Sequence, residues 1–352
     1  MKVLMVGVDD AGRGGMWTVV ENYLQDSDFR KQSGLCYMPT ATAGSAYRRI
    51  TLFIKALFKI NKELRRGGYD IVHMHLSERA SVYRKDILQR MAKKAGCKTV
   101  IHMHGADFEM WYKALNPSRQ AYVREVLGRA DCVLILGEYW GDFIGSLLKE
   151  PGRIRVLHNA VPVPQTNPYS IQARHMVFLG AMIERKGILD LLEAMKRIRD
   201  KLPQGTKLIL CGDDPDGIAI PAIDRLKIQD LVECKGWINN QQKAEVMAVS
   251  AVNVLPSYRE GLPMTILETM AKGIPNITTN IAAIPEAVTD GVNGFMLEPG
   301  DVEALSESIL KLLRDETLRI RMSQAAWEIA YTDFSLKSHT TRILSIYKEL
   351  LG

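Results

Sequence analysis

The stretch that decides the fold of this chain is Arg259-Glu260-Gly261-Leu262-Pro263-Met264-Thr265-Ile266-Leu267-Glu268. It carries two glutamates, one on each side of a turn that begins a helix. Pro263 fits the first helical position, where its missing N–H costs nothing, and Gly273 with Pro275 fits the stop. The pattern therefore predicts a short helix over 265–272 that contains Glu268, with Glu260 on the loop before it.

The backbone of this turn is a candidate anion site. N–H groups around Gly261, Leu262 and Met264 would direct the positive end of the helix dipole into the space that Glu260 borders. We therefore expect an anion such as a phosphate beside Glu260.

The flanking residues make the pattern more specific than a pair of glutamates, which exposed helices often carry. Pro256-Ser257 precedes it, and Glu268-Thr269-Met270-Ala271-Lys272-Gly273-Ile274-Pro275 follows. Together these segments resemble the Glu-x7-Glu motif of family 4 retaining glycosyltransferases (glycosyl transferases group 1), which have the GT-B fold and use nucleotide-sugar donors. The alternative interpretation is a surface helix with ordinary charges.

Length and composition favour a globular protein of two domains. The chain has 352 residues, 47% hydrophobic and 24% charged, and roughly 150 residues per domain is usual. No uncharged apolar run reaches about 18 residues, so we predict no transmembrane helix. The start, Met1 to Val8, reads as a first buried strand. The five cysteines contain no Cys-x2-Cys pair, which indicates a reducing cytoplasm and neither zinc nor disulfides.

The positive charge is concentrated in the first half. Residues 1–170 hold 25 Lys/Arg against 16 Asp/Glu, a balance of +9, whereas residues 171–352 hold 21 against 24, a balance of −3. A basic first domain favours an anionic partner, such as a membrane surface or a phosphate-bearing acceptor. Nucleic acid is the competing partner, but no nucleic-acid module accompanies the charge, so we expect none.

A helix predicted from Ala46 to Arg66 is both apolar and basic. Two interpretations are open. Its cations, within Arg48–Arg66, could lie on an anionic bilayer with its apolar residues inserted. The favoured interpretation is that the helix covers the sheet and buries its apolar stripe in the core. That stripe consists of Ile50, Phe53, Ile54, Leu57, Phe58 and Leu64.

Gly14 and Gly15 stand between the first strand and a predicted helix. This order of strand, glycine-rich turn and helix lets a backbone approach a phosphate, although the full Gly-x-Gly-x-x-Gly spacing is missing. Beside the main motif, the pair resembles the family's glycine loop near donor phosphates and acceptor. A tight turn alone is the alternative.

Four histidines lie on two neighbouring predicted strands: His73, His75, His102 and His104. No carboxylate or thiolate stands in register with them, so we expect no metal. His104 falls at a strand's carboxyl end, where open parallel sheets bind ligands. His104-Gly105-Ala106-Asp107 resembles the family's loop whose histidine contacts the transferred sugar. The other three are interpreted as structural.

The second half adds the cations that a diphosphate needs. Arg185 and Lys186 follow a strand, where Arg can form a forked hydrogen-bond pair and Lys a point charge. Family members carry Arg-x-x-Lys-Gly or a close variant there, so Lys186 is the firmer match. Asp214-x-Asp216 imitates a metal-binding motif of the other glycosyltransferase fold, but its context argues against that use. Many members have two glycines where Ala282-Ala283 stand.

The resemblance implies an α/β protein of GT-B fold, with two Rossmann-like domains facing each other across a cleft. Three proline residues in 160–168 mark a linker. We predict an acceptor-binding domain over 1–168, a nucleotide-sugar-binding domain over 169–332, and a terminal helix over 333–352 that crosses back to the first domain.

The predicted reaction moves a sugar from a nucleotide diphosphate sugar, of UDP or GDP type, to a hydroxyl of a glycan or lipid-linked acceptor with retention. Surface polysaccharide or glycolipid assembly is the expected setting, in the cytoplasm or peripherally on the inner membrane face. The resemblance implies no cofactor and no metal. Alternatives are a GT-B epimerase, a nicotinamide enzyme, which lacks its glycine fingerprint here, and an inactive partner of a transferase.

The same resemblance assigns roles to individual residues. Catalytic positions are His104 and Glu260, which would position the sugar and stabilise charge. Glu268 would bind the ribose diol. The diphosphate would be held by Arg185, Lys186 and the backbone of Gly261, Leu262, Pro263 and Met264.

Overall fold

The computed structural model describes residues 1–12 and 14–352 of the chain. These residues form two compact units: Met1–Ala160 with Leu336–Gly352, and Val161–Ser335. Each unit is built on a six-stranded sheet. All the strand pairs are parallel.

The first sheet has the strand order β2-β1-β3-β4-β5-β6. Its central strands are buried because both faces are covered by helices. Val3, Leu4, Met5 and Val6 of β1 are fully buried, and β3 is buried along its whole length although it contains two histidines. The strands are β1 Val3–Val8, β2 Cys36–Ala41, β3 Ile71–Leu76, β4 Lys98–Met103, β5 Cys132–Ile135 and β6 Ile154–Val156. The helices are α1 Gly15–Gln25, α2 Ser27–Ser33, α3 Ala46–Arg65, α4 Ala80–Lys94, α5 Phe108–Lys113, α6 Pro117–Gly128 and α7 Tyr139–Leu147, with short 3-10 turns at Asp10–Gly12 and Pro151–Arg153.

The second sheet has the order β12-β11-β10-β7-β8-β9. The chain therefore winds one way from β7 and the other way from β10, and such a reversal opens a crevice at the carboxyl ends of the two strands. The strands are β7 His175–Leu179, β8 Leu208–Cys211, β9 Val232–Gly236, β10 Ser250–Leu255, β11 Asn276–Thr279 and β12 Gly294–Leu297. The helices are α8 Ile188–Ile198, α9 Ala219–Leu226, α10 Asn240–Ala248, α11 Met264–Met270, α12 Val302–Arg314 and α13 Glu316–Asp333, with 3-10 turns at Glu184–Lys186, Arg199–Lys201 and Ile284–Glu286.

The proline-rich stretch predicted as a linker belongs to the second unit. The Val161 N–H donates to the Phe334 carbonyl at 2.9 Å. The Trp327 indole N–H donates to the Pro164 carbonyl at 3.0 Å. Because α13 and the residue after it supply these partners, the boundary lies between Ala160 and Val161 rather than after residue 168.

The last helix, α14 Leu336–Leu351, packs in the first unit. The Tyr347 hydroxyl lies 2.6 Å from His73 Nδ1 on β3, and the Tyr23 hydroxyl on α1 lies 2.5 Å from His339 Nε2. The helix begins at Leu336 and not at residue 333, because α13 continues to Asp333.

Helix α3 differs from the favoured expectation. Its N-cap is Ser45, whose hydroxyl accepts the Arg48 N–H. The row formed by Ala56, Ile60 and Leu64 is buried, which covers the sheet as predicted. A second row faces away from the core, with Tyr47 81%, Ile50 60%, Ile54 47% and Phe58 75% exposed. The expectation that the whole apolar stripe is buried is therefore wrong, since three of its six residues lie in this outer row.

None of the helices within 1–12 and 14–352 combines the length and apolar character required to cross a membrane.

Candidate functional site

Lys186 and Glu260 meet at the crevice of the second sheet. Lys186 follows β7 and Glu260 follows β10, the two strands between which the winding reverses. The Lys186 Nζ lies 2.8 Å from Glu260 Oε1, and both side chains are largely buried. The Arg185 guanidinium Nη1 lies 3.8 Å from Glu260 Oε2. The sequence-predicted cations and the first predicted carboxylate are therefore brought together.

Hydrogen bonds hold the two loops against each other. The Ser257 hydroxyl donates to Glu260 Oε1 at 2.9 Å. The Tyr258 N–H donates to the Arg185 carbonyl at 2.8 Å, and Arg185 Nη1 donates to the Arg259 carbonyl at 2.5 Å. Ser257 and Lys186 both bond to Glu260 Oε1, and Arg185 lies nearest Oε2, so the carboxylate has little rotational freedom.

Gly187 explains how closely these loops approach. Its φ is +68°, and a Cβ atom there would lie only 2.0 Å from the Pro256 carbonyl oxygen. Both the left-handed backbone and the lack of space require glycine. The Lys-Gly pair of the sequence motif therefore supplies the cation and, in the next residue, room for the facing loop.

The motif helix α11 spans Met264–Met270, one residue earlier at its start and two earlier at its end than predicted. Pro263 is the N-cap, with φ −66° and ψ 126°, and not the first helical residue. Its ring fixes φ in either position, so the sequence pattern does not separate the two. The side chains of Leu262 and Met264 are buried, and they anchor the turn that Glu260 precedes.

The second motif carboxylate, Glu268, is paired with Lys243 on α10. The two charged atoms lie 2.7 Å apart, with the Glu268 side chain 14% and the Lys243 side chain 24% exposed. Sequence reasoning missed Lys243 because it stands 25 positions away from Glu268 in no recognised motif.

The loop 280–283 contacts the motif directly. The Ala283 N–H donates to the Gly261 carbonyl at 3.2 Å. The preceding Ala282 has φ +48°, a conformation that suits glycine better than alanine. This agrees with the resemblance, in which many family members have glycines at this point.

In the first unit, Gly14 precedes helix α1 with φ +146° and ψ 179°, and Gly15 is the first helical residue. Only glycine adopts this backbone readily. His104 directly follows β4, and its Nε2 lies 2.8 Å from Nδ1 of the buried His75 on β3. Both predicted features of this unit therefore stand at carboxyl ends of strands of one sheet.

His104 is part of a cluster of five imidazoles: His73, His75, His102, His104 and His339. Burial is the main cause that lowers the pKa of each, to about 3 for His73 and His104 and to about 4 for His339. The pKa values of His75 and His102 are also well below the usual range for the same reason. The cluster is therefore uncharged at neutral pH.

Three of these histidines are close enough to be considered as metal ligands. Nitrogen atoms of His73, His75 and His102 all lie within 4.8 Å of one another. Both nitrogens of His73 already face partners, Tyr347 and His102, so an ion would have to replace these contacts. The sequence-based expectation that they bind no metal stays a prediction.

Asp214, the first acid of the Asp-x-Asp sequence, has a structural partner set. Its carboxylate accepts the N–H groups of Ile218, Ala219 and Ile220 at 3.0, 3.1 and 3.2 Å. These are the unpaired amides at the start of α9, which a carboxylate typically caps.

Two family models match most of the chain. Residues 23–164 match Glycosyltransferase Family 4, and residues 173–315 match Glycosyl transferases group 1. The chain belongs to the family 4 glycosyltransferases. It is an enzyme that transfers glycosyl groups, and its two Rossmann-like units make up the GT-B fold.

Known proteins agree with this assignment of the glycosyltransferase. It is 25% identical over 305 residues to N-acetyl-alpha-D-glucosaminyl L-malate synthase of Bacillus anthracis, covering 83% of this chain and 78% of the relative. It is 26% identical over 332 residues to UDP-Gal:alpha-D-GlcNAc-diphosphoundecaprenol alpha-1,3-galactosyltransferase of Escherichia coli, covering 86% and 82%. The Anabaena HepE structure in complex with UDP-glucose is similar in fold, with a TM-score of 0.77, 16% identity and coverage of 99% and 100%.

Proposed function

We propose that this glycosyltransferase moves a sugar from a nucleotide diphosphate sugar, of UDP or GDP type, to a hydroxyl of a glycan or lipid-linked acceptor, with retention. The observation that carries the proposal is the placement of Lys186 and Glu260 together at the crevice between β7 and β10. The UDP-glucose in the HepE complex and the UDP-Gal donor and diphosphoundecaprenol acceptor in the name of the E. coli relative support it.

The donor nucleotide would bind the second unit. Lys186 and Arg185 would carry the charge of the diphosphate, together with the backbone of Gly261–Met264. Glu268 would accept hydrogen bonds from the ribose hydroxyls, and Lys243 orients this carboxylate at 2.7 Å. No metal enters the proposal because two cations already border the crevice.

The reaction exchanges two C–O bonds at the anomeric carbon. The bond from that carbon to the β-phosphate oxygen breaks, and its electron pair leaves with the nucleoside diphosphate. The acceptor oxygen attacks from the same face, and its proton passes to an oxygen of the departing phosphate. Lys186 and Arg185 would stabilise the charge that develops on the leaving group, and Glu260 the positive charge near the sugar.

The acceptor would bind the first unit. Gly14 and Gly15 would let a phosphate or an acceptor approach the backbone after β1, and His104 would position the sugar. The net charge of +9 over residues 1–170 suits an acceptor that carries phosphate.

Nucleotide binding tests the donor site. Unfolding would be followed with UDP, GDP, ADP or CMP in EDTA, for the wild type, Lys186→Met, Glu268→Gln and the control Arg199→Met. Arg199 pairs with Asp230 at 2.7 Å beyond the end of α8, away from the crevice. One diphosphate at about 100 times its Kd should stabilise the wild type and the control by roughly 2.7 kcal/mol. Loss of the effect only in the two crevice variants supports the site, whereas stabilisation by none of the nucleotides contradicts it.

Product analysis separates a transferase from an epimerase. With a sugar nucleotide and a lipid-linked acceptor, the nucleoside diphosphate should appear only in proportion to glycosylated acceptor. Nuclear magnetic resonance of the product would show whether the anomeric configuration of the donor is kept. A changed sugar nucleotide formed without acceptor would favour the epimerase, and an inverted product would contradict retention.

We further propose that α3 binds an anionic bilayer and that the enzyme is peripheral on the inner membrane face. Its exposed Tyr47, Ile50, Ile54 and Phe58 fall within an arc of roughly 80° at 100° per residue. Arg65 lies in line with that row, and four cations lie along one side of it: Arg48, Lys55, Lys59 and Lys62. An apolar row beside a basic one is typical of helices that lie in the interface of anionic membranes.

Vesicle sedimentation tests this surface. Vesicles with phosphatidylglycerol should bind the enzyme, those of pure phosphatidylcholine should bind at least 10-fold less, and salt should weaken binding. Ile54→Ser with Phe58→Ser should abolish it, whereas the control Ile220→Ser with Ile320→Ser, also exposed apolar residues, should not. Equal binding to both lipids, or no effect of the α3 changes, would contradict the proposal.

A further inference from the structure

The histidine cluster of the first unit has a proton arrangement that its hydrogen bonds decide. Each of the five imidazoles is uncharged at neutral pH because burial lowers its pKa. A neutral imidazole carries one proton, so one nitrogen donates and the other accepts. The position of that proton determines what His104 can offer to a ligand.

His339 shows how a partner fixes the tautomer. Its Nδ1 lies 2.8 Å from the His158 carbonyl oxygen, which can only accept. The proton of His339 is therefore on Nδ1, and its Nε2 accepts the Tyr23 hydroxyl at 2.5 Å.

The tautomer of His75 follows from the surroundings of its Nε2 atom. Its Nε2 is buried and has no hydrogen-bond partner among residues 1–12 and 14–352. A buried N–H without a partner is rarer in proteins than an acceptor without one. The proton of His75 is therefore assigned to Nδ1, which lies 2.8 Å from His104 Nε2 and donates to it.

The same reasoning holds for His102, which makes the network consistent. Its Nε2 is also buried without a partner among the described residues, so its proton is assigned to Nδ1. That nitrogen lies 3.3 Å from His73 Nε2, and His73 then donates from Nδ1 to the Tyr347 hydroxyl at 2.6 Å. Along this line of hydrogen bonds, from His102 through His73 to Tyr347, each donor faces an acceptor.

We infer that His75 holds His104 in the tautomer with its proton on Nδ1, so that His104 is a hydrogen-bond donor to a ligand oxygen. Since Nε2 of His104 is occupied by His75, this ring does not take the proton of an acceptor hydroxyl at that atom. The ligand group it suits is an oxygen with free lone pairs, such as that of a sugar hydroxyl. His75 is a positioning residue for this contact. The identity of the ligand rests on the proposed function, whereas the tautomer does not.

Histidine tautomers are measured directly in the full-length protein. Protonated and unprotonated ring nitrogens have well-separated 15N resonances, which long-range 1H–15N correlation connects to each ring in histidine-labelled enzyme at pH 7.5. The His104 signals are assigned by their absence in His104→Gln. We expect the protonated resonance at Nδ1. A protonated Nε2 on His104 would overturn the inference, whatever the outcome of nucleotide-binding experiments.

Two variants test the role of His75. His75→Phe removes the donor to His104 Nε2, and His104 should lose its Nδ1–H signal in favour of Nε2–H. His73→Phe removes another histidine of the same cluster, bonded to His102 and Tyr347 but not to His104, and should leave the His104 tautomer unchanged. An unchanged tautomer in folded His75→Phe contradicts the positioning role. If His75→Phe does not fold, the wild-type spectrum alone decides the tautomer.

Discussion

The Nζ atom of Lys186 lies 2.8 Å from Oε1 of Glu260, a residue 74 positions away in the sequence. A parallel sheet whose winding reverses between β7 and β10 brings the two loops together. Glu260 also accepts the Ser257 hydroxyl at 2.9 Å. The pair is therefore part of a hydrogen-bonded arrangement of three side chains, Lys186, Ser257 and Glu260.

Glu260→Gln should separate catalysis from binding. The amide keeps a hydrogen-bonding oxygen for Ser257 but removes the charge near the reacting sugar. We expect kcat to fall about 10²- to 10³-fold, while the Kd for the nucleoside diphosphate changes only a few-fold. Steady-state kinetics and calorimetric titration check this. The control is Glu233→Gln, in the exposed pair with Lys235, which should leave kcat unchanged.

Ala282→Gly should not lower the free energy of unfolding as Ala283→Gly does. Ala282 has φ +48°, which disfavours alanine by about 1–2 kcal/mol. Glycine removes this strain but gains entropy in the unfolded chain, so we expect a free energy of unfolding unchanged or up to about 1 kcal/mol higher. Ala283→Gly, at a buried alanine with φ −88°, should lower it by about 1 kcal/mol. Denaturant unfolding measures both, and equal losses would contradict the strain.

Acid should destabilise the first unit steeply. Five of its histidines have pKa values lowered by burial in the folded state. The unfolded chain therefore binds protons below about pH 6.5 that the folded unit does not bind. Stability is lost as pH falls from about 6.5 toward 4, by up to about 1.4 kcal/mol per pH unit for each histidine.

Calorimetry between pH 8 and pH 4 would measure this loss. The first unit should melt at falling temperatures in acid, well before the second unit, whose only histidine is His175. A parallel loss in both units would contradict the assignment to the cluster.

Lys85→Met should stabilise the enzyme at neutral pH. Lys85 on α4 is buried, with Nζ 3.0 Å from the Thr40 hydroxyl, and burial lowers its pKa to about 7. Because the unfolded lysine stays protonated to about pH 10.4, the wild type gains stability as pH rises from 7 to 10. Methionine avoids burying a charge and should add about 1–3 kcal/mol at pH 6. The gain in Tm should shrink at pH 10, and exposed Lys94→Met should show neither effect.

The sequence predicted the relationships that follow from parallel strands. Lys186, Glu260, Gly14 and His104 each follow an apolar run, and the rule that ligands bind at carboxyl ends of strands was enough to bring them to the sheet edges. The identity of the motif helix was predicted as well. Its exact start was not, because proline fits both the N-cap and the first helical position.

Other features depend on tertiary packing that periodicity does not contain. The pattern of α3 identified apolar residues but not that they form two rows, of which only Ala56, Ile60 and Leu64 meet the core. Lys243 contacts Glu268, and His75 contacts His104, because separate helices and strands pack together. The proline-rich stretch was predicted to be a linker because the local sequence does not reveal its hydrogen-bond partner. That partner, Trp327, lies on α13, more than 150 positions away in the sequence.

The path of the chain has a consequence for its synthesis on the ribosome. The first unit begins the sequence, yet it is completed by α14, whose His339 and Tyr347 bond to Tyr23 and His73. The second unit, Val161–Ser335, is continuous. Domains usually fold from the N-terminus as they emerge, but here the later unit has all its residues first. The nascent N-terminal segment therefore remains without its last helix until Leu336–Leu351 has been synthesised.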